Sequence, residues 1–226
     1  VIQNSGSFYA RGVSVSSASG TYSVAGNSIT NIQNFSGSST NQPNGIFAST
    51  TATSATIQFN KVTTVTNRSA STFGVQGVTL AAGNNVTLKN NVISDVNQNM
   101  TGGSAFSTTF GVVGLRIAGG TGHKIYHNSV NLFGGLLGTA TAGQLTAAFA
   151  ITTTSLTGID VRNNVFANTM TGGAASSAHV PVFLPSSGTS AMNLTWNNNA
   201  SYPGPTAGVH GVAHGGATYA AVPAGP

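Results

Sequence analysis

The chain has 226 residues, 39% of them hydrophobic, enough for one core, yet only 4% are charged, against roughly 25% in an ordinary soluble domain. Glu and Cys are absent and the only Asp residues are Asp95 and Asp160, which excludes a disulfide framework, thiolate metal sites and chemistry built on an acid cluster. The net charge of +5 reflects scarce acids, because Lys61, Lys89, Lys124, Arg11, Arg68, Arg116 and Arg162 are dispersed and form no dense basic stripe of the kind nucleic acid requires; no apolar run reaches the roughly 20 residues of a membrane span.

In chain order, the first signal is Ile2, Gln3 and Asn4, which echo Ile32, Gln33 and Asn34. Residues 1–11 are therefore expected to be the end of a preceding coil. The chain starts at Val1 rather than Met and carries no signal peptide, so a mature or excised fragment is expected. From 12 to 200 one unit recurs six times. Each unit opens with a small residue followed by two apolar residues in alternation, at 12–15, 45–48, 77–80, 114–117, 148–151 and 181–184. Two apolar columns result: Val13, Ile46, Val78, Leu115, Phe149 and Val182, and Val15, Ala48, Leu80, Ile117, Ile151 and Leu184. Alternation with period two is the signature of a strand.

A second strand follows in each unit, as at 86–88 and 159–161, and ends near an asparagine. Asn27, Asn60, Asn91, Asn128, Asn164 and Asn197 recur at spacings of 33, 31, 37, 36 and 33. The residue three before each is aliphatic: Val24, Ile57, Leu88, Ile125, Val161 and Leu194. A third strand follows, as at 92–96; the residue two after the Asn is apolar until the last copy, where it is Asn199. A period in this range marks a solenoid. Three short strands cannot bury an apolar face alone, but stacked coils share one continuous core. The expectation is an all-β, right-handed parallel β-helix of about six coils of three short strands, the hand following from the preference of parallel crossovers. At about 4.8 Å per coil the stack is roughly 29 Å tall. The asparagines are assigned to a structural ladder, since stacked amides bond one another and Asn tolerates the left-handed corner conformation.

Two connections are long, 97–111 and 134–147, and carry Met100, Phe106, Phe110, Leu136, Leu137 and Leu145. Long loops on a rigid scaffold are where function usually sits; alternatively, their apolar residues cover one face of the helix. Residues 201–226, rich in Gly, Ala and Pro, are expected to form a degenerate terminal coil, a cap or a linker.

The segments VTLKNNVI at 86–93, HKIYHNSV at 123–130 and IDVRNNVF at 159–166 resemble the parallel β-helix repeat of pectate-lyase-like proteins and of large secreted bacterial surface proteins. The Thr-, Ser- and Asn-rich coils with few carboxylates look more like the surface proteins. That resemblance implies a segment of a longer exported chain.

The chemistry expected of such a scaffold is limited. A β-helix hydrolase needs an acid and a base carboxylate, and a calcium-dependent lyase needs several carboxylate oxygens. Asp95 and Asp160 lie two coils apart and supply neither, so no catalytic residue, metal site or cofactor is assigned. Asp160, four before Asn164 as Lys124 is four before Asn128, is expected to pair with Lys124 as its stacked neighbour on one outer face. Lys89, Tyr126 and Arg162 share a column two before the Asn and, with Arg116, are the candidates for binding an acidic glycan. Of the His pairs, His123 and His127 are four apart on a strand, about 13 Å, too far to share one metal; His210 and His214 lie in an irregular tail. Asn34, Asn67, Asn85, Asn99, Asn193 and Asn199 match glycosylation sequons. The expected function is a non-enzymatic structural or adhesive segment of a secreted or cell-surface protein: a stalk, adhesin, matrix or filament component. The expected partners are further coils or copies joined through the helix ends, with polysaccharide possible and nucleic acid and membrane span excluded. The rivals are glycan binding or polysaccharide-lyase action and, last, ice binding through a Thr array.

Overall fold

The computed structural model describes residues 2–4, 9–16, 20–35, 42–49, 53–69, 74–98, 111–136, 144–173, 177–185, 192–204 and 213–214. After β1 (Ile2–Asn4) the strands fall into triplets: β2 (Arg11–Ser16), β3 (Thr21–Ala25), β4 (Ser28–Asn34); β5 (Asn44–Ser49), β6 (Ser54–Gln58), β7 (Lys61–Asn67); β8 (Val75–Leu80), β9 (Val86–Lys89), β10 (Val92–Gln98). Three more triplets follow: β11 (Gly111–Ile117), β12 (Lys124–Tyr126), β13 (Ser129–Leu132); β14 (Leu145–Ile151), β15 (Asp160–Arg162), β16 (Val165–Asn168); β17 (Ala178–Leu184), β18 (Thr195–Asn197), β19 (Ala200–Tyr202), with β20 (Ala213–His214) beyond. Each strand lies beside its counterpart three strands away. The first strands form one seven-stranded sheet, β2-β5-β8-β11-β14-β17-β20 (sheet 1); the second strands a six-stranded sheet from β3 to β18 (sheet 2); the third strands a seven-stranded sheet from β1 to β19 (sheet 3). All pairings are parallel, so the chain is the expected β-solenoid with three strands per coil.

The register reproduces the columns read from the sequence. Val13, Ile46, Val78, Leu115, Phe149 and Val182 are successive partners, and β1 pairs with β4 as Ile2 to Ile32 and Asn4 to Asn34. The inward columns of all three sheets meet in a single apolar core. At the fifth coil Phe149 stacks on Phe166 with centroids 4.9 Å apart, and Trp196 of the sixth coil lies 5.8 and 5.9 Å from the two rings.

The small residue that opens each first strand has a steric cause. A Cβ placed on Gly114 would collide with Val130 Cγ1 and sit 2.7 Å from the Ala148 carbonyl oxygen. Gly12, Gly45 and Gly77 face equivalent contacts with Ile29, Val62 and Ile93. The strand bulges here, so that Val112, Leu115 and Ile117 join the core while Val113 turns outward. Because β2, β5, β8, β11, β14 and β17 bulge at the same position, the pairing survives on both sides of it. The outward residues Val113, Leu145, Ala147, Ala150, Ala178, Val180 and Phe183 form a second buried cluster on the other side of sheet 1. The third strands carry their own bend: Asn31, Thr64 and Asp95 have φ of 57°, 54° and 52°, and Thr64 Oγ1 donates to Asp95 Oδ2 at 2.8 Å. A β-branched residue in the left-handed region is strained, and the hydrogen bond helps hold it there.

One rung of the expected ladder is corrected. Asn164 bonds Asn199, with N–H and Nδ2 both donating to Asn199 Oδ1 at 3.0 and 2.8 Å. Asn197 instead lies on β18 opposite Arg162 and is exposed. The core column accordingly runs from Val161 to Trp196, not to Leu194. The third strand of the sixth coil is β19 (Ala200–Tyr202), and β20 pairs with β17.

Candidate functional site

The most ordered polar feature is the corner between sheets 2 and 3. Each corner places one residue in the left-handed region: Gly26, Phe59, Asn90, His127, Asn163 and Asn198, with φ between 52° and 69°. The asparagine that follows turns inward. Down the stack from Asn27 through Asn60, Asn91, Asn128 and Asn164 to Asn199, each backbone N–H and each Nδ2 donates to the Oδ1 of the next. The Nδ2 distances are 2.9, 3.0, 2.9, 3.0 and 2.8 Å. The other Nδ2 proton reaches back to the carbonyl of the aliphatic residue in the preceding coil: Asn60 to Val24, Asn91 to Ile57, Asn128 to Leu88, Asn164 to Ile125 and Asn199 to Val161. Asn60, Asn91, Asn128 and Asn164 are 1–2% exposed. Buried amides satisfied on every side stabilise; they have no capacity left to act on a ligand.

The proposed glycan strip is assembled in part. Lys89, Tyr126 and Arg162 are consecutive register partners on the outer face of sheet 2. The polar end of that strip is turned on itself, because Arg162 Nε donates to Asp160 Oδ1 and the Tyr126 hydroxyl to Asp160 Oδ2, both at 2.6 Å. Burial, reinforced by donation to Asp160 and by its charge, raises the Tyr126 hydroxyl above its ordinary pKa, with Arg162 opposing. Lys124 is the register neighbour of Asp160, as expected, but the ion pair forms with Arg162 instead. Residues two apart on one strand project from the same face, and that shorter route wins. Among the described residues the cation–ring contacts belong to Arg11, not to this strip.

Arg116 does not join the strip. It lies on β11 in sheet 1, between Thr79 and Ala150, with Nε buried and without a partner. Burial draws its guanidinium below the ordinary value.

His123 and His127 face different environments. His123 is fully buried with Nε2 2.9 Å from the Gly119 carbonyl, so that nitrogen carries the proton; burial lowers its pKa and the Gly119 bond partly restores it. His127 occupies an exposed corner. A second buried imidazole, His179, bonds Thr146 Oγ1 at 2.8 Å through Nδ1, and Asn168 Nδ2 donates to the same hydroxyl at 2.8 Å. All three residues are 0% exposed, so this network holds the coil together out of reach of any substrate. His210, Met100, Phe106, Phe110, Leu137 and Asn99 lie outside the described residues, and only the backbone of His214 is described. Of the sequons, Asn34 and Asn67 are buried and joined to each other at 3.1 Å, and Asn199 is a ladder rung. Asn85 and Asn193 are exposed.

A feature the sequence reading missed lies on the outer side of sheet 1 at its first two coils. Tyr9, Arg11, Gln42, Asn44 and Phe47 line a cleft of about 210 Å³. The Arg11 guanidinium carbon is 3.5 Å from the Phe47 ring centroid and 4.2 Å from that of Tyr9. Arg11 donates from Nη1 to Ser14 Oγ at 3.3 Å, while its Nε and the Asn44 Oδ1 are buried without partners. Burial lowers the Arg11 pKa from the ordinary guanidinium value. In the sequence, Arg11 and Asn44 stand at the same position of successive units, but Phe47 joins them only through the outward turn at the bulge.

No protein-family model matches the chain, no curated protein matches it, and no solved structure matches it.

Proposed function

We propose that this chain is a right-handed β-helical segment of a secreted or cell-surface protein, related in character to bacterial surface β-helices. It acts as a non-enzymatic spacer or adhesive element. The observation that supports this most is the axial continuity of its bonding. Three parallel sheets and a buried amide ladder all run along one axis, so tension along that axis is shared by every coil. The sparse charge suits a surface solvated by Ser, Thr and Asn. The reading extends to continuation or self-association through the ends: Trp196, in a core-facing column, is 37% exposed in the sixth coil, a surface that a further coil or a second copy would cover.

The test is electron microscopy and intact-mass analysis of the native material. Rods, end-to-end polymers, or a far larger parent polypeptide are expected. A discrete short monomer that cleaves an acidic polysaccharide would overturn the reading.

A further inference from the structure

We propose that the Arg11 cleft is a binding site for a small carboxylate-bearing ligand, whether a free organic acid or the carboxylate of an acidic sugar. The argument begins with charge. The protein has two carboxylate side chains. Asp95 accepts from Thr64 and Asp160 from Arg162 and Tyr126. Among the described residues Arg11 has no ion pair. A guanidinium has five donors in one plane; Arg11 spends Nη1 on Ser14, and its Nε is buried without an acceptor.

Stacking against Phe47 and Tyr9 fixes the plane of the fork, which pre-orders it for the two parallel bonds of a carboxylate. Asn44 and Gln42 line the same cleft and give it polar walls beside the guanidinium. At about 210 Å³ the cleft is smaller than the roughly 300 Å³ at which drug-sized pockets begin, which limits the occupant to a small acid or a single sugar residue. The proposal does not depend on the solenoid being a stalk.

The experiment is a two-dimensional NMR titration of the full chain with sodium acetate, sodium glucuronate and glucose, following the Tyr9 and Phe47 ring signals and the Arg11 Nε–H. Shifts at all three residues with acetate and glucuronate alike support a site that reads any carboxylate. Shifts with glucuronate at least about tenfold tighter than acetate, and none with glucose, support an acidic sugar as the source. Arg11→Lys keeps the charge but loses the fork, and should weaken binding by about tenfold or more. Equal response to glucose and glucuronate, or no shift with any probe up to about 10 mM, overturns the proposal. The wild-type titration decides this even where Arg11→Lys does not fold.

Discussion

Truncating Asn91 to Ala tests the central physical argument, that the ladder amides are irreplaceable in the middle of the stack. The Asn91 side chain makes four hydrogen bonds. Its Oδ1 accepts from the Asn60 N–H at 3.1 Å and Asn60 Nδ2 at 3.0 Å, and its Nδ2 donates to Ile57 O and Asn128 Oδ1, both at 2.9 Å. Truncation does not free all the partners equally. Asn60 Nδ2 keeps Val24 O, and Asn128 Oδ1 keeps the Asn91 N–H. The Asn60 N–H is left buried and unpaired, at a cost of about 1–3 kcal/mol, and the remaining bonds contribute roughly 0.5–1.5 kcal/mol each. The expected loss is about 2.5–7.5 kcal/mol, a large share of a typical net stability of about 5–15 kcal/mol. The matched control is Asn27→Ala. Asn27 is only partly buried and its side chain gives bonds to Asn60 Oδ1 and Ala25 O, so about 1 kcal/mol is expected. Urea denaturation followed by circular dichroism gives both values, and hydrogen exchange at the Asn60 N–H reports the stranded group. Equal losses at the two positions, or a loss below about 1 kcal/mol at Asn91, would refute the reasoning.

Gly114→Ala forces a Cβ against Val130 and the Ala148 carbonyl and should cost about 1–3 kcal/mol by overpacking; a denaturation midpoint equal to wild type would show that the bulge relaxes freely. His123 has a folded pKa below its unfolded value of about 6.5 because it is buried. Its unfolded form therefore binds the proton first, and stability should be complete above about pH 6.5 and fall as pH drops toward the lowered folded value. His123→Gln should flatten that part of the pH–stability curve, and an unchanged slope would exclude His123 as its source. Asp160→Asn removes an ion pair whose side chains are 45% and 22% exposed, so at most about 1 kcal/mol should be lost. The Tyr126 hydroxyl should titrate at lower pH, since Asp160 helps to raise it. Carbon-13 tyrosine NMR measures that shift, and an upward movement would reverse the assigned cause.

The sequence alone determined the coil, its three strands and the apolar columns that begin at Val13, Val15, Val24 and Ile29 up to the fifth unit. Parallel in-register stacking sets the same position of each repeat beneath the last, so a requirement for an apolar side chain, a missing Cβ or an amide recurs visibly along the chain. That reading fails where the outcome depends on distances across the chain. The sixth rung is Asn199 rather than Asn197, because the sixth coil spends two more residues before its corner while keeping a misleading period. Asp160 sits beside Lys124 in register as expected, yet its partner is Arg162, a choice made by side-chain reach. Arg116 resembles the strip residues in type but sits on another sheet. The Arg11 cleft depends on the bulge that turns its column outward and on two rings closing over one guanidinium. Periodicity records which residues share a column; only the tertiary structure decides which way a column faces and which neighbour a side chain reaches, because those are set by the bends between strands rather than by spacing.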